Sequence, residues 1–201
     1  MEHGYEEHLA GSFYNDKAFN ISAAKILPGE YYVTQKDMVL VTVLGSCVAA
    51  CIRDTKLGMG GMNHFMLPDG GAKELVGNSA RYGTYAMEVL INHLLKMGAS
   101  RSRLEAKVFG GGAVMETLKS SNVGERNAEF VLDFLKVEKI PVVAKDLLDT
   151  YPRKVYFFPQ TGKVMLKKLH RVNNDTLFSR EREYQKRLGA TKVSGDIELF
   201  T

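Results

Sequence analysis

A chain of 201 residues, 45% hydrophobic and 25% charged, has the make-up of a globular domain and is long enough to bury one sizeable core. Its 27 basic and 23 acidic residues leave a net charge of +4, too small an excess to argue for nucleic acid, and no basic stripe interleaved with aromatics accompanies it. No apolar stretch approaches the roughly 20 residues that cross a bilayer, and Glu2, Glu6 and Glu7 stand where a secretory leader is basic and then apolar. A cytoplasmic protein without membrane insertion is expected.

Residues 1–21 are polar and aromatic without periodicity, and read as an N-terminal extension that docks or is mobile. The ordered core is expected to begin near Ala23. Pro28-Gly29 supplies a turn before a short β-rich run. Met38 to Leu44 is a β-branched apolar run of the kind buried on both faces. Gly45-Ser46 breaks it, and Cys47 to Ile52 continues as either a helical turn or a second strand. Gly58 to Gly61 predicts a turn, and Met62 to Leu67 another strand, stopped by Pro68-Asp69-Gly70-Gly71.

Tyr82, Tyr85, Ala86, Val89, Leu90, Leu94 and Met97 share one helical face, and Gly98 sits where a C-terminal cap belongs. Leu104, Ala106 and Val108 alternate as a strand leading into Gly110-Gly111-Gly112. Asn127 is placed to cap a helix with Phe130, Val131, Phe134 and Leu135 inward. A strand at 140–144 follows, then a hairpin turning at Thr161-Gly162. From residue 173 the composition becomes highly charged, with SREREYQKRL reading as an exposed helix or a disordered tail.

Chemistry concentrates between residues 42 and 68. Cys47 follows an apolar strand through Gly45 and Ser46, whose small side chains let a substrate approach the backbone. A helix beginning at Cys47 would lower the thiol pKa and present N–H groups to an oxyanion. A cysteine in an apolar segment is more often a small buried hydrophobe, and Cys51 is read that way. His64 is placed on a strand; beside a glycine-flanked cysteine it is the natural general base. Thr42 either fills the strand or orients His64, the task of a third residue in catalytic triads. His93 reads as a packed or boundary histidine, and His3, His8 and His170 show no ligand spacing.

A metal reading of Cys47, Cys51 and His64 lacks paired ligand spacing. A C-x-x-x-C spacing suits neither a disulfide nor a dithiol redox centre. The glycine run matches neither a dinucleotide fingerprint nor a phosphate loop; close backbone packing or a cleft wall is the plainer reading.

LGSCVAACIRD, GGMNHFMLP, LEAKVFGGGAVM and VGERNAEFV, in that order, resemble the CheD family of bacterial chemoreceptor glutamine deamidases. ILPGEYYVT and the FFPQTGKVMLKKL hairpin are similar to that family as well. The resemblance covers residues 22–172, leaving 1–21 and 173–201 outside it. It implies an α/β (α+β) fold of packed mixed sheets flanked by helices in three layers, similar to the cytotoxic necrotizing factor deamidase toxins. It places the catalytic cysteine and histidine on Cys47 and His64 and the threonine on Thr42, with N–H groups around Gly45, Ser46 and Cys47 at the oxyanion.

The implied reaction converts receptor glutamines to glutamate with release of ammonia, and methyl-ester hydrolysis at the same positions is a side activity. No cofactor and no metal is implied. Methyl-accepting chemotaxis receptors are the implied substrates, and a CheC-type phosphatase an implied partner. A non-catalytic adaptor that binds receptor or phosphatase through the same face is the competing function. A cysteine hydrolase of small amides is a third, and it needs a deep pocket.

Overall fold

A computed structural model of the chain describes residues 8–68, 78–114, 122–169 and 175–190. Ten strands and three helices run in the order β1 (Ser12–Asp16), β2 (Ile21–Lys25), β3 (Tyr31–Thr34), β4 (Val39–Leu44), β5 (Val48–Asp54), β6 (Met59–Asn63), α1 (Asn78–Lys96), β7 (Leu104–Gly110), α2 (Val123–Val137), β8 (Val142–Leu147), β9 (Arg153–Phe158), β10 (Lys163–Lys168) and α3 (Asp175–Ala190). A short 3-10 turn at Arg101–Arg103 precedes β7. The strands form two five-stranded sheets, β1-β2-β4-β9-β10 and β3-β6-β5-β7-β8. Each is mixed: β2 and β4 are parallel in the first, β7 and β8 in the second, and the remaining pairs are antiparallel. This is the expected α+β architecture.

Alternation along β5 shows how the layers are built. Val48, Ala50 and Ile52 face α1 and α2, joining Leu90, Ile91, Val131 and Leu135 in one core. Ala49 and Cys51 face the other way, meeting Leu40, Leu44, Val155 and Phe157 of the first sheet. With both faces covered, the strand carries no polar alternation, which is why periodicity leaves helix and strand open there. The structure decides for a strand. β4 repeats the pattern: Leu40, Thr42 and Leu44 point between the sheets, while Val39 and Val41 pack with Ala23 on the outer face.

Several boundaries differ from the sequence-based expectation. The ordered sheet starts before Ala23, because β1 pairs antiparallel with β2 from Ser12 opposite Lys25. Its Phe13 ring meets Tyr32 edge-on, 5.3 Å between centroids. The turn after β5 falls at Thr55–Gly58, and Gly60 and Gly61 lie inside β6. There a Cβ on Gly61 would stand 2.7 Å from Leu90 Cδ1 and 2.6 Å from the Tyr32 carbonyl oxygen, so its absence lets α1 settle onto the sheet. β6 ends at Asn63, before His64.

The strand expected at 140–144 is β8 and spans 142–147, because Pro141 and the close of α2 delay it. The cap at Gly98 and the hairpin turn at Thr161-Gly162 match, with Gly98 at φ +101 and Gly162 at φ +71. Asp69, Gly70 and Gly71, read as the stop after the His64 segment, lie outside the described residues, as do His3 and His170.

The charged C-terminal segment differs most. α3 is neither wholly exposed nor irregular: Glu181, Tyr184 and Leu188 are buried along one face, with Leu177 half-buried a turn earlier. This spacing is a helical stripe. Its apolar members Tyr184 and Leu188 join the inter-sheet core.

Candidate active site

The β5–β6 hairpin brings Cys47 and His64 together by register. Cys51 pairs with Met62, and Val48 bridges Phe65 through N–H···O bonds of 2.9 and 3.0 Å. In that register Ala49 lies opposite His64 and Cys47 opposite Met66. The two side chains are therefore diagonal neighbours on one face, within reach across a hairpin. His64 is pinned further by its own backbone, donating to the Glu30 carbonyl at 3.0 Å and accepting from the Gly29 N–H at 2.7 Å.

Thr42 reaches His64 from the facing sheet. Its Oγ1 donates to the Ile26 carbonyl at 2.7 Å and lies 2.8 Å from His64 Nδ1. A hydroxyl has one hydrogen, and here it goes to Ile26, so Oγ1 accepts from Nδ1–H. That fixes the tautomer: Nε2 carries the lone pair. Nε2 is buried with no hydrogen-bond partner among the described residues, and an imidazole nitrogen of His64 lies within 4.8 Å of Cys47 Sγ. The orienting role expected of Thr42 is thus geometrically available.

Cys47 does not begin a helix. It closes the tight connection between β4 and β5, in which the Gly45, Ser46 and Cys47 N–H groups turn toward one spot. A carboxylate from α3 fills that spot. Glu181 Oε1 accepts from Gly45 N–H at 2.8 Å and more distantly from Cys47 N–H at 3.5 Å. Its Oε2 accepts from Ser46 N–H at 3.1 Å and Ser46 Oγ–H at 2.7 Å. A Cβ on Gly45 would lie 2.8 Å from both oxygens, so only glycine admits a carboxylate this close. The arrangement brings together a buried thiol, an imidazole whose lone pair is on Nε2 and a set of backbone donors that hold an anion.

Comparison with known proteins gives the family. The family model described as CheD chemotactic sensory transduction matches residues 66–168. Across the whole chain, a protein of Dechloromonas aromatica named probable chemoreceptor glutamine deamidase CheD 1 is 72% identical, covering 100% of both chains. The chain belongs to the CheD family. A second CheD relative, from a Janthinobacterium species and named probable chemoreceptor glutamine deamidase, is 64% identical over 98% of both chains. Among solved structures, a Neisseria meningitidis protein described by the family model DUF152 is similar at a TM-score of 0.36 and 13% identity, over 68% of this chain and 62% of that one.

Two residues outside the expected site set brace loops of this CheD-family chain, Asn127 the one that carries Cys47 and Arg153 a second one. Asn127 lies within α2, which starts at Val123, so it is not the cap its position suggested. Fully buried, it donates from Nδ2 to the Ser46 carbonyl at 2.8 Å and accepts from Leu67 N–H through Oδ1 at 2.8 Å. It therefore ties the cysteine loop to the segment that carries His64. Arg153, also fully buried, anchors the 146–151 loop through Asp146 at 2.5 Å and the Leu148 carbonyl at 2.6 Å.

The glycine run is a backbone cradle. Gly111 N–H donates to the Cys47 carbonyl and Gly112 N–H to the Gly45 carbonyl, each at 2.8 Å. Gly110, at φ +111, approaches so closely that a Cβ would stand 2.2 Å from the Cys47 carbonyl oxygen. Gly111 and Gly112 also line, with Ser46, a cleft of about 290 Å³. Close backbone packing is what the run provides; the cleft it also lines includes neither Cys47 nor His64.

Cys51 is buried core, as expected, and both thiols are free. His93 is a boundary residue, with Nδ1 3.2 Å from the Tyr31 hydroxyl. The only set of three metal-type side chains found among the described residues joins Cys47 and His64 with Glu181 and excludes Cys51.

Burial, with the Glu181 carboxylate adding to it, pushes the Cys47 thiol well above its ordinary value. A thiol lowered by a helix start is therefore not what the structure shows. Burial also draws His64 down to about 4, the Ile26 carbonyl only partly opposing it. The sign of the consequence is definite. Between roughly pH 6.5 and that lower value the unfolded chain binds the proton and the folded chain does not. Stability is then lost as pH falls across this window, by up to about 3 kcal/mol. Urea unfolding at about pH 7.5 and pH 4.5 is expected to show a larger loss in the native chain than in His64→Gln. Equal losses would mean that His64 is not held neutral.

Proposed function

We propose that this chain is a protein-glutamine deamidase of chemoreceptors, with Cys47 as nucleophile, His64 as general acid–base and Thr42 as the residue that orients it. The observation that carries this reading is the Thr42 Oγ1–His64 Nδ1 contact at 2.8 Å, which leaves Nε2 as the basic nitrogen of an imidazole that lies beside the thiol. A surface used only for recognition has no need of that alignment, so catalysis is favoured over the adaptor role. The reading is further supported by the names of relatives that match the chain from end to end.

In the reaction, His64 Nε2 takes the Cys47 proton as Sγ attacks the carboxamide carbon of a receptor glutamine. The developing oxyanion lies against the Gly45, Ser46 and Cys47 N–H groups. Collapse of the tetrahedral species passes the proton from His64 to the departing nitrogen and releases ammonia, leaving a thioester. Water, deprotonated by the same imidazole, cleaves the thioester to glutamate and restores the thiol. Thiol, imidazole, backbone and water account for every atom.

The deamidase domain is taken as residues 22–172, with the N-terminal strand and α3 as additions to it. Receptors meet it in the cytoplasm. A CheC-type phosphatase, if it uses the same face, competes with them.

The test is intact mass spectrometry of purified chemoreceptor cytoplasmic fragments after incubation with the protein. Each converted glutamine adds about one dalton, and peptide mapping locates it. Fragments that bind yet keep their mass through prolonged incubation would leave only the adaptor reading.

A further inference from the structure

Glu181 is a buried acid for which the reaction above has no use. Its oxygens occupy the N–H donors assigned to the oxyanion, and one of them, Cys47 Sγ and a His64 nitrogen all lie within 4.8 Å of one another. A glutamate side chain is what the proposed reaction leaves at this position after thioester cleavage. Here one arrives on the chain's own helix.

The remainder of α3 is fitted to its seat. Tyr184 and Leu188 follow Glu181 at i+3 and i+7 and are buried with it. The Tyr184 ring lies over Gly29, where a Cβ would come within 2.8 Å of it, and its hydroxyl meets that of Tyr82. Arg180, Arg182, Glu183, Lys186 and Arg187 face solvent. Cys47, His64 and Glu181 also have the donor types of a cation site. The carboxylate is nevertheless satisfied by N–H and O–H donors, which receive an anion and leave a cation nothing to replace.

We propose, resting on the deamidase reading, that α3 is an intramolecular product analogue: it holds Glu181 in the glutamine subsite, and must withdraw before a receptor glutamine enters. The subsite therefore accepts a glutaminyl side chain carried on an amphipathic helix, with bulky apolar residues at i+3 and i+7. Tethering gives α3 a high effective concentration over the site. The seated form is inactive because Glu181 already occupies the oxyanion donors beside the covered thiol.

Glu181→Gln in the full chain tests this directly, because it turns the product analogue into a substrate. Cys47 Sγ attacks the carboxamide introduced at position 181, ammonia leaves with the proton relayed by His64, and water regenerates the thiol and a glutamate. The Lys-C peptide ending at Lys186 is expected to gain about one dalton, localised to position 181 by fragmentation. The rate should be independent of protein concentration, and the change absent in the double variant with Cys47→Ala. An amide that persists at position 181 while the same preparation deamidates receptor fragments would overturn the proposal and leave the deamidase reading standing. Neither substrate changing would bring down both.

A second variant guards against a Glu181→Gln chain that does not fold. Glu181→Ala is expected to speed both Cys47 alkylation by iodoacetamide and turnover of receptor fragments below saturation, roughly 10-fold or more. Rates equal to those of the native chain would show that α3 does not cover the site.

Discussion

Cys47→Ala is expected to remove deamidation of receptor fragments altogether, a loss of roughly 10⁴-fold or more, while the protein keeps its fold. The first half of this follows from the proposed chemistry. Without Sγ no thioester forms, and the remaining N–H donors and imidazole have only water to direct at an amide. The second half follows from packing. Cys47 contributes one sulfur atom to a core whose larger members are Leu40, Leu44, Met62, Met66 and Phe157, and its loop is held by main-chain bonds from Gly111 and Gly112 that the substitution leaves untouched. Truncation should cost about 1 kcal/mol. Cys51→Ala, further along β5 in the same core, should keep most of the activity. Residual turnover in the Cys47 variant, with loss in the Cys51 variant, would transfer the nucleophile to Cys51.

His64→Ala is expected to lower turnover by roughly 10²- to 10⁴-fold, the range for a positioned general base. It should also slow alkylation of Cys47 at neutral pH. That comparison belongs in a Glu181→Ala background, where the carboxylate no longer shares the thiol's surroundings. The physical reason is the Nδ1–H bond to Thr42, which leaves Nε2 as the basic nitrogen of an imidazole beside the thiol. Iodoacetamide rates equal with and without the imidazole would show that His64 does not activate the thiol, and Thr42 would then be orienting a structural residue.

The pairing of Cys47 with His64 was legible without coordinates because it depends on local order. A buried strand broken by Gly-Ser-Cys, a tight reversal and a histidine directly after the returning strand leave few ways to separate the two side chains. Parity then does the rest: both project to one face because Cys51 pairs with Met62. The helix over α1 was equally local, resting on an apolar stripe and a terminal glycine. Asn127 could not be assigned this way. Its partners, Ser46 and Leu67, lie far back in the chain, and an asparagine near a helix start reads as a cap until those partners are known.

Glu181 shows where the division falls. Its stripe was present in the letters: Leu177, Glu181, Tyr184 and Leu188 follow helical spacing, with an acid on the apolar face. Burial of that face depends on a sheet built far earlier in the chain, since Gly45 and Ser46 lie 136 and 135 positions away in sequence. By itself the sequence determined the strand–loop–strand unit that carries Cys47, the candidate base and the core periodicities, all consequences of short-range spacing. Only the tertiary structure decided that the loop N–H groups converge, that Thr42 fixes the imidazole tautomer from a different sheet, and that a carboxylate from α3 lies against the thiol. Those contacts depend on how separate sheets and helices stack, and no local pattern in the chain encodes the distance between them.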